Sequence, residues 1–142
     1  MNREAIYSAL WQKISEVDGF VTKSRRLQHW NDVDRYAQPA LFMTQGSQTA
    51  LTTTGENSKW VLRADIYIYV QTAGEAPAPL LNPLLDAVCN AVNEIHPITG
   101  RSNLQVEGVS IEHCRVEGTI ETDEGTLGDQ AVAIIPITIL AA

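Results

Sequence analysis

Cysteine is nearly missing from this chain: only Cys89 and Cys114 occur in 142 residues. Two thiols make no disulfide framework, and in uncharged surroundings they behave as small buried apolar side chains. Histidine is as sparse, at His29, His96 and His113, and neither a C-x₂-C nor an H-E-x-x-H spacing is present. No metal-ligand set can be read from that. His113 and Cys114 are neighbours, so on a strand they point to opposite faces and cannot chelate one ion. Basic side chains are outnumbered, 10 against 17 acidic ones, for a net charge of -7. Such a balance argues against a partner gripped through its phosphates, although DNA can slide past an acidic lining without sticking. No apolar run approaches the roughly 20 residues of a membrane span. The opening Asn2-Arg3-Glu4 is no secretory leader. These absences point to a soluble protein of a reducing cytoplasm.

What is present is a globular composition, 44% hydrophobic. A chain of this length reads as one domain, 1–142, and buries roughly 68–70% of its unfolded surface. Ile6, Ala9, Leu10, Ile14 and Val17 recur at helical spacing, which predicts a helix over 2–17, capped by Asn2 and ended by Asp18-Gly19. A strand is expected over 20–27, a polar loop around Trp30 over 28–35, and a strand over 39–43 that follows a Gln38-Pro39 turn. The polar residues 44–58 read as a long surface loop. Lys59–Thr72 is the clearest strand: Trp60, Leu62, Ala64, Ile66, Ile68 and Val70 share one face, and Val61, Arg63, Asp65, Tyr67, Tyr69 and Gln71 the other. At about 3.3 Å per residue it spans more than about 40 Å, so it is expected to protrude as an arm or bend across the domain.

After the Gly/Pro/Ala connector 73–79 comes a second helix with Leu84, Leu85, Val88, Ala91, Val92 and Ile95 as its stripe. It starts most simply at Pro83 with Asn82 as cap; a start at Pro79 would instead make Pro83 a kink. Two strands, 109–121 and 130–140, close the chain around the acidic turn 122–129. The fold class expected is α+β: a two-layer, antiparallel-dominated sheet with two helices packed on one face.

The search for chemistry returns little. Cys114 alternates with Val116 and Ile120 and reads as core, and Ser8, Ser15 and Ser24 lack a G-x-S-x-G setting. The Gly-rich stretches lack the lysine and the strand–loop–helix setting of a phosphate cradle. Carboxylates gather at Glu117, Glu121, Asp123, Glu124 and Asp129; a charged turn accounts for them more simply than a Ca²⁺ loop or an acid–base pair. No catalytic residue, cofactor or metal is expected.

Interface patterns are more informative. Tyr67 and Tyr69 stand with Arg63 and Asp65 on the outward face of the long strand, the composition that protein interfaces favour; a covering helix would make them second-layer core instead. The last strand is apolar on both faces, with Val132 and Ile134 on one and Ile135 and Ile137 on the other, yet it contains Pro136. A strand that is an edge in the monomer and covered in an oligomer satisfies both facts. Residues 1–63 carry eight basic and six acidic groups, whereas residues 102–142 carry one basic and seven acidic ones. That is either a solvated acidic face or a head-to-tail contact between a basic front and an acidic back. Candidate interface residues are therefore Arg25, Arg63, Tyr67, Tyr69, Glu121, Asp123, Glu124, Val132, Ile134 and Pro136. Gln45, Gly46, Gly55, Glu56 and Asn57 are the candidate mobile, partner-binding loop.

The segment Asp34-Arg35-Tyr36-Ala37-Gln38-Pro39-Ala40-Leu41-Phe42-Met43-Thr44-Gln45-Gly46, behind an N-terminal helix and ahead of one long strand, resembles the tail-terminator (minor tail) proteins of long-tailed phages. With the Pro-rich entry to helix two and the final strand, the resemblance covers most of the chain. It implies a small α+β subunit that closes as a hexameric ring on a finished tail tube, stops polymerisation and offers the head its docking surface. Its partners would be its own copies, the major tail tube protein and a head-completion or neck protein, with DNA passing through unbound. It would be found at the tail end of the virion, and in the host cytoplasm during assembly. The alternatives are a neck or head-completion protein of the same virion, or a cone-shaped α+β ligand-binding domain or enzyme. The last needs a polar residue on the Trp60–Val70 face, and all six positions there are apolar.

Overall fold

The computed structural model describes residues 1–52, 58–102, 104–125 and 128–142. Its elements are α1 (Arg3–Ser15), β1 (Thr22–Ser24), β2 (Ala40–Leu51), β3 (Lys59–Gln71), α2 (Ala78–Asn93), β4 (Ile111–Val116), β5 (Glu121–Asp123) and β6 (Gln130–Ala141), with two 3₁₀ turns at Trp30–Asp32 and Arg35–Ala37. The strands form one six-stranded sheet in the order β1-β2-β3-β6-β4, with β5 also on β6. Among the described residues only β1 and β2 pair in parallel. Both helices pack on the face of Leu62, Ala64, Ile66, Ile68, Ile135 and Ile137, so the α+β two-layer expectation holds.

Helix α1 is held at its start by the Asn2 side chain, which accepts from the Ala5 N–H at 3.0 Å. It buries Ile6, Leu10 and Ile14 as its spacing predicts, and Tyr7 in addition. Tyr7 escapes the stripe because its hydroxyl leaves the apolar layer and donates to the Arg63 carbonyl at 2.9 Å. The Arg3 guanidinium lies 4.4 Å above the Trp60 ring, pinning the helix start to β3. Helix α2 begins at Ala78, so it takes the longer alternative in place of the Asn82-capped start at Pro83, and Pro83 lies inside it. Leu81, Val88 and Val92 are its buried residues. Ile95 is 57% exposed: it lies past the helix end, in an isolated bridge to Ser102.

Five expectations need correction. The first strand is only three residues long, because it pairs with no more than Ala40–Phe42 of β2. The loop expected over 44–58 is strand as far as Leu51, bulged between Gln45 and Gln48. Its side chains are polar, but β3 offers a free ladder, and backbone pairing overrides the composition. The rest of that loop, including Gly55, Glu56 and Asn57, lies outside the described residues. The long strand is no arm: β2 and β6 flank it along nearly its whole length. Strand 109–121 is two strands, broken around Gly118, whose φ is +116°. Finally, β6 is an interior strand, paired with β3 on one side and with β4 and β5 on the other. One of its apolar faces packs against the helices through Ile135 and Ile137, and the other, with Val132 and Ile134, lies half-buried on the face away from them.

The Gln28–Gln38 segment adds a small third layer. It lays Trp30, Val33 and Ala37 over Ala40, Phe42 and Tyr69 on the face opposite the helices, making a second apolar cluster.

Candidate functional site: the open face of the sheet

Strand alternation places every second residue of β2, β3, β6 and β5 on the face away from the helices. The register then aligns these residues in rows. One row runs Ala40, Tyr69, Val132, Asp123; the next runs Phe42, Tyr67, Ile134, Glu121. Beyond them, Thr44, Asp65 and Pro136 stand abreast, and then Arg63 and Thr138 with Arg115 of β4.

Where the Gln28–Gln38 segment crosses the sheet, the rows are roofed. Tyr69 is buried to 4% exposure, packs against Phe42 with ring centroids 5.5 Å apart, and donates its hydroxyl to the Gln28 carbonyl at 2.8 Å. Burial pushes the Tyr69 phenol up, so the group stays a neutral donor. The Gln38 amide ties the segment down, donating to the Val33 carbonyl at 3.2 Å and to the Gln130 side chain at 2.7 Å. The segment stops at β6, and between its edge and β5 lies a groove of about 420 Å³. Trp30, Tyr67, Tyr69, Val132, Ile134, Glu121, Thr122 and Asp123 line it. The floor is apolar, the wall aromatic and the rim acidic.

Six candidate interface residues thus converge: Tyr67, Tyr69, Val132, Ile134, Glu121 and Asp123. Tyr69 is split from the expected exposed row, being mostly core beneath a loop segment rather than beneath a helix. Pro136 and Arg63 lie farther along the same face, and Glu124 follows β5 in the turn. Arg25 lies apart, at the opposite edge of the sheet, where its guanidinium pairs with Glu4 and holds that carboxyl below its usual range. Gln45 and Gly46 are in β2, at the bulge. Trp30 and Thr122 are the lining residues that the pattern did not single out; an isolated tryptophan in an otherwise polar stretch was the signal for the first.

Glu121 and Asp123 stand together at the groove rim, but no histidine or cysteine is among the described residues that line it. Cys114 faces the helices, where burial pushes its thiol up from 9.0 to about 12, the opposite of an activated thiolate. His29 and His96 are used locally: each Nδ1 accepts a backbone N–H two residues on, from Asn31 at 3.1 Å and Ile98 at 3.2 Å. Among the described residues, no three His, Cys, Asp or Glu side chains are placed to hold a metal ion together, and no helix is long and apolar enough to cross a membrane. What the groove can do is hold a segment that carries both an apolar and a cationic group.

No protein-family model matches this chain, and no curated protein matches it. Solved structures share its fold. One is a chain of the virion of the native gene transfer agent (GTA) particle, with a TM-score of 0.63 and 10% sequence identity over 97% of this chain and 95% of that one. A second solved chain, whose name carries no function, has a TM-score of 0.57 and 14% identity over 100% of this chain and 96% of its own. At these identities the likeness shows the fold alone.

Proposed function

We propose that this chain is a structural protein of a phage-type virion, closing as a hexameric ring on the end of the finished tail tube. There it ends polymerisation of the tube protein and gives the head a surface to dock on. The observation that carries the reading is the shared fold, nearly end to end in both chains, with a component of a virion particle. That neighbour's name says nothing of a position within the particle; the place at the tube end rests on the tail-terminator resemblance of the Asp34–Gly46 segment and the element order around it. Surfaces for contact are also available. Beyond Phe42, β2 has no strand on its outer side among the described residues, and β4 and β5 leave the other side of the sheet open as well.

In this role the partners are further copies of the chain, the major tail tube protein and a head-completion or neck protein. The net charge of -7 lets DNA pass without being held. No step of the role calls for catalysis. The protein would sit at the tail end of the virion, after assembly in the host cytoplasm. Deleting the gene from its phage tests the reading. Heads and tail subunits should persist, while tails lose length control and fail to join heads. Tails of normal length that lack heads would transfer the chain to the neck, the second reading, which the virion neighbour supports equally. Normal virions would remove both.

A further inference from the structure

Strands β1 and β5 are the outermost members of the same two rows across the sheet. The register runs Thr22, Ala40, Tyr69, Val132, Asp123 in one row and Ser24, Phe42, Tyr67, Ile134, Glu121 in the next. Each of the two strands is three residues long and, among the described residues, pairs on one side only. Four strand spacings, about 19 Å, separate them. Their directions are opposite: β1 runs with β2, and each step from β2 through β3 and β6 to β5 reverses the sense. Two copies set side by side without turning one over would therefore bring β1 of one against β5 of the other, antiparallel.

The chemistry of the two edges is complementary. The β1 edge carries Lys23, Arg25 and Arg26 in succession, flanked by the exposed apolar residues Val21, at 64%, and Leu27, at 39%. Within the chain Lys23 and Arg25 turn to the helix face, where they engage the Ser15 carbonyl and Glu4 of α1, so the basic group left for the open face is Arg26, which is exposed and enters no ion pair among the described residues. The β5 edge carries Glu121, Asp123 and Glu124, and beside it lies the groove floored by Val132 and Ile134. A basic edge with apolar flanks faces one way, and an acidic edge with an apolar groove faces the other.

From this we infer that the unpaired edge of β5 receives the β1 edge of a second copy, antiparallel, with Arg26 beside Glu121 and Leu27 reaching across β5 toward the apolar groove floor. The contact is heterologous: it uses unlike surfaces at opposite edges of the sheet, so each copy keeps one of each free for the next, and a suitable rotation closes the series. It also covers the short edge strands at both ends of the rows, whose unpaired backbone groups otherwise invite non-specific pairing. Opposite charge sets the register and the order of copies more than it adds affinity. The inference deepens the ring reading and rests on it.

The test compares wild type, Arg26→Glu, Glu121→Arg and the double variant by sedimentation velocity and native mass spectrometry. Both side chains are exposed, so thermal melts should coincide; if either variant melts early, Arg26→Gln and Glu121→Gln replace it. Each single reversal should weaken self-association about tenfold or more, and the double, which restores opposite charges across the contact, should recover most of it. Wild-type rings that the single variants match would overturn this contact and leave the capping reading standing. Wild-type protein that stays monomeric at every concentration overturns the contact as well, and gives the groove to a different partner. Gene deletion tests capping separately, so the two failures are distinguishable.

Discussion

At Gly118 the backbone takes φ +116°, and an added Cβ would come within 3.2 Å of Pro136 Cγ. The two residues explain each other. Pro136 accepts the Glu117 N–H through its carbonyl at 3.1 Å. In an antiparallel ladder a residue's N–H and C=O point to the same side, so the donor that proline lacks would also point at that neighbour. The missing N–H thus falls where the adjacent strand is already broken between β4 and β5, and an interior proline leaves no ladder acceptor stranded. Gly118→Ala meets both the left-handed φ and the proline ring, and should cost about 1–3 kcal/mol in urea unfolding; an unchanged midpoint would show that the break yields freely. Cys114 gives a second expectation at this scale. The folded chain keeps the thiol proton up to about 12, against 9.0 ordinarily, while the unfolded chain releases it earlier. Stability from this group is therefore complete below the ordinary value and is lost as pH rises through that window. Urea midpoints should fall across the alkaline range, with a flatter slope in Cys114→Ala. A thiol reagent at neutral pH should leave native Cys114 unmodified.

Among the elements, β6 shows most directly how a sequence pattern can be right about faces and wrong about place. Ile135 and Ile137 are fully buried against the helices, whereas Ile134 lines the open groove. Ile135→Asp should cost more than about 4 kcal/mol, since a charge replaces an isoleucine in an apolar layer with no partner. Ile134→Asp should leave most of the monomer's stability, as read by thermal melting; equal losses would make the groove floor ordinary core. Alternation made both faces of β3 and β6 legible, because a period of two is a local property. Strand order was not legible, since whether β6 is central or an edge depends on β4 and β5, which pair with it from elsewhere in the chain. The same limit hid the second half of β2. Gln45, Ser47, Gln48 and Thr49 give no apolar signal, and only the neighbouring ladder of β3 makes them strand. The groove was half legible for the same reason: Tyr67, Glu121 and Ile134 were each visible as candidates, but only the register sets them abreast, and only the path of the Gln28–Gln38 segment brings Trp30 to their side.

For the whole molecule, the uneven charge acquires a geometry that composition alone did not give it. The excess of basic groups in residues 1–63 includes Lys23, Arg25 and Arg26 at one edge of the sheet, and the acidic excess of residues 102–142 includes Glu121, Asp123 and Glu124 at the other. A molecule charged in this way attracts its copies in one relative order and repels them in the reverse. At exposed edges that attraction depends on ionic strength, because the screening length falls from about 8 Å at physiological salt to about 3 Å at 1 M. The apolar part of the proposed contact, Leu27 toward Val132 and Ile134, does not share that dependence. Self-association measured by sedimentation should therefore weaken as salt rises from about 0.15 M to about 1 M and then level off without vanishing. The charge-exchanged double variant Arg26→Glu/Glu121→Arg should keep the same salt slope, since it carries the same pair of charges inverted. The neutral double variant Arg26→Gln/Glu121→Gln should associate with a flatter slope. A ring whose strength ignores salt in all three would leave assembly in place but assign it to apolar burial alone, and the opposed edges would then be a solvated charge distribution and nothing more.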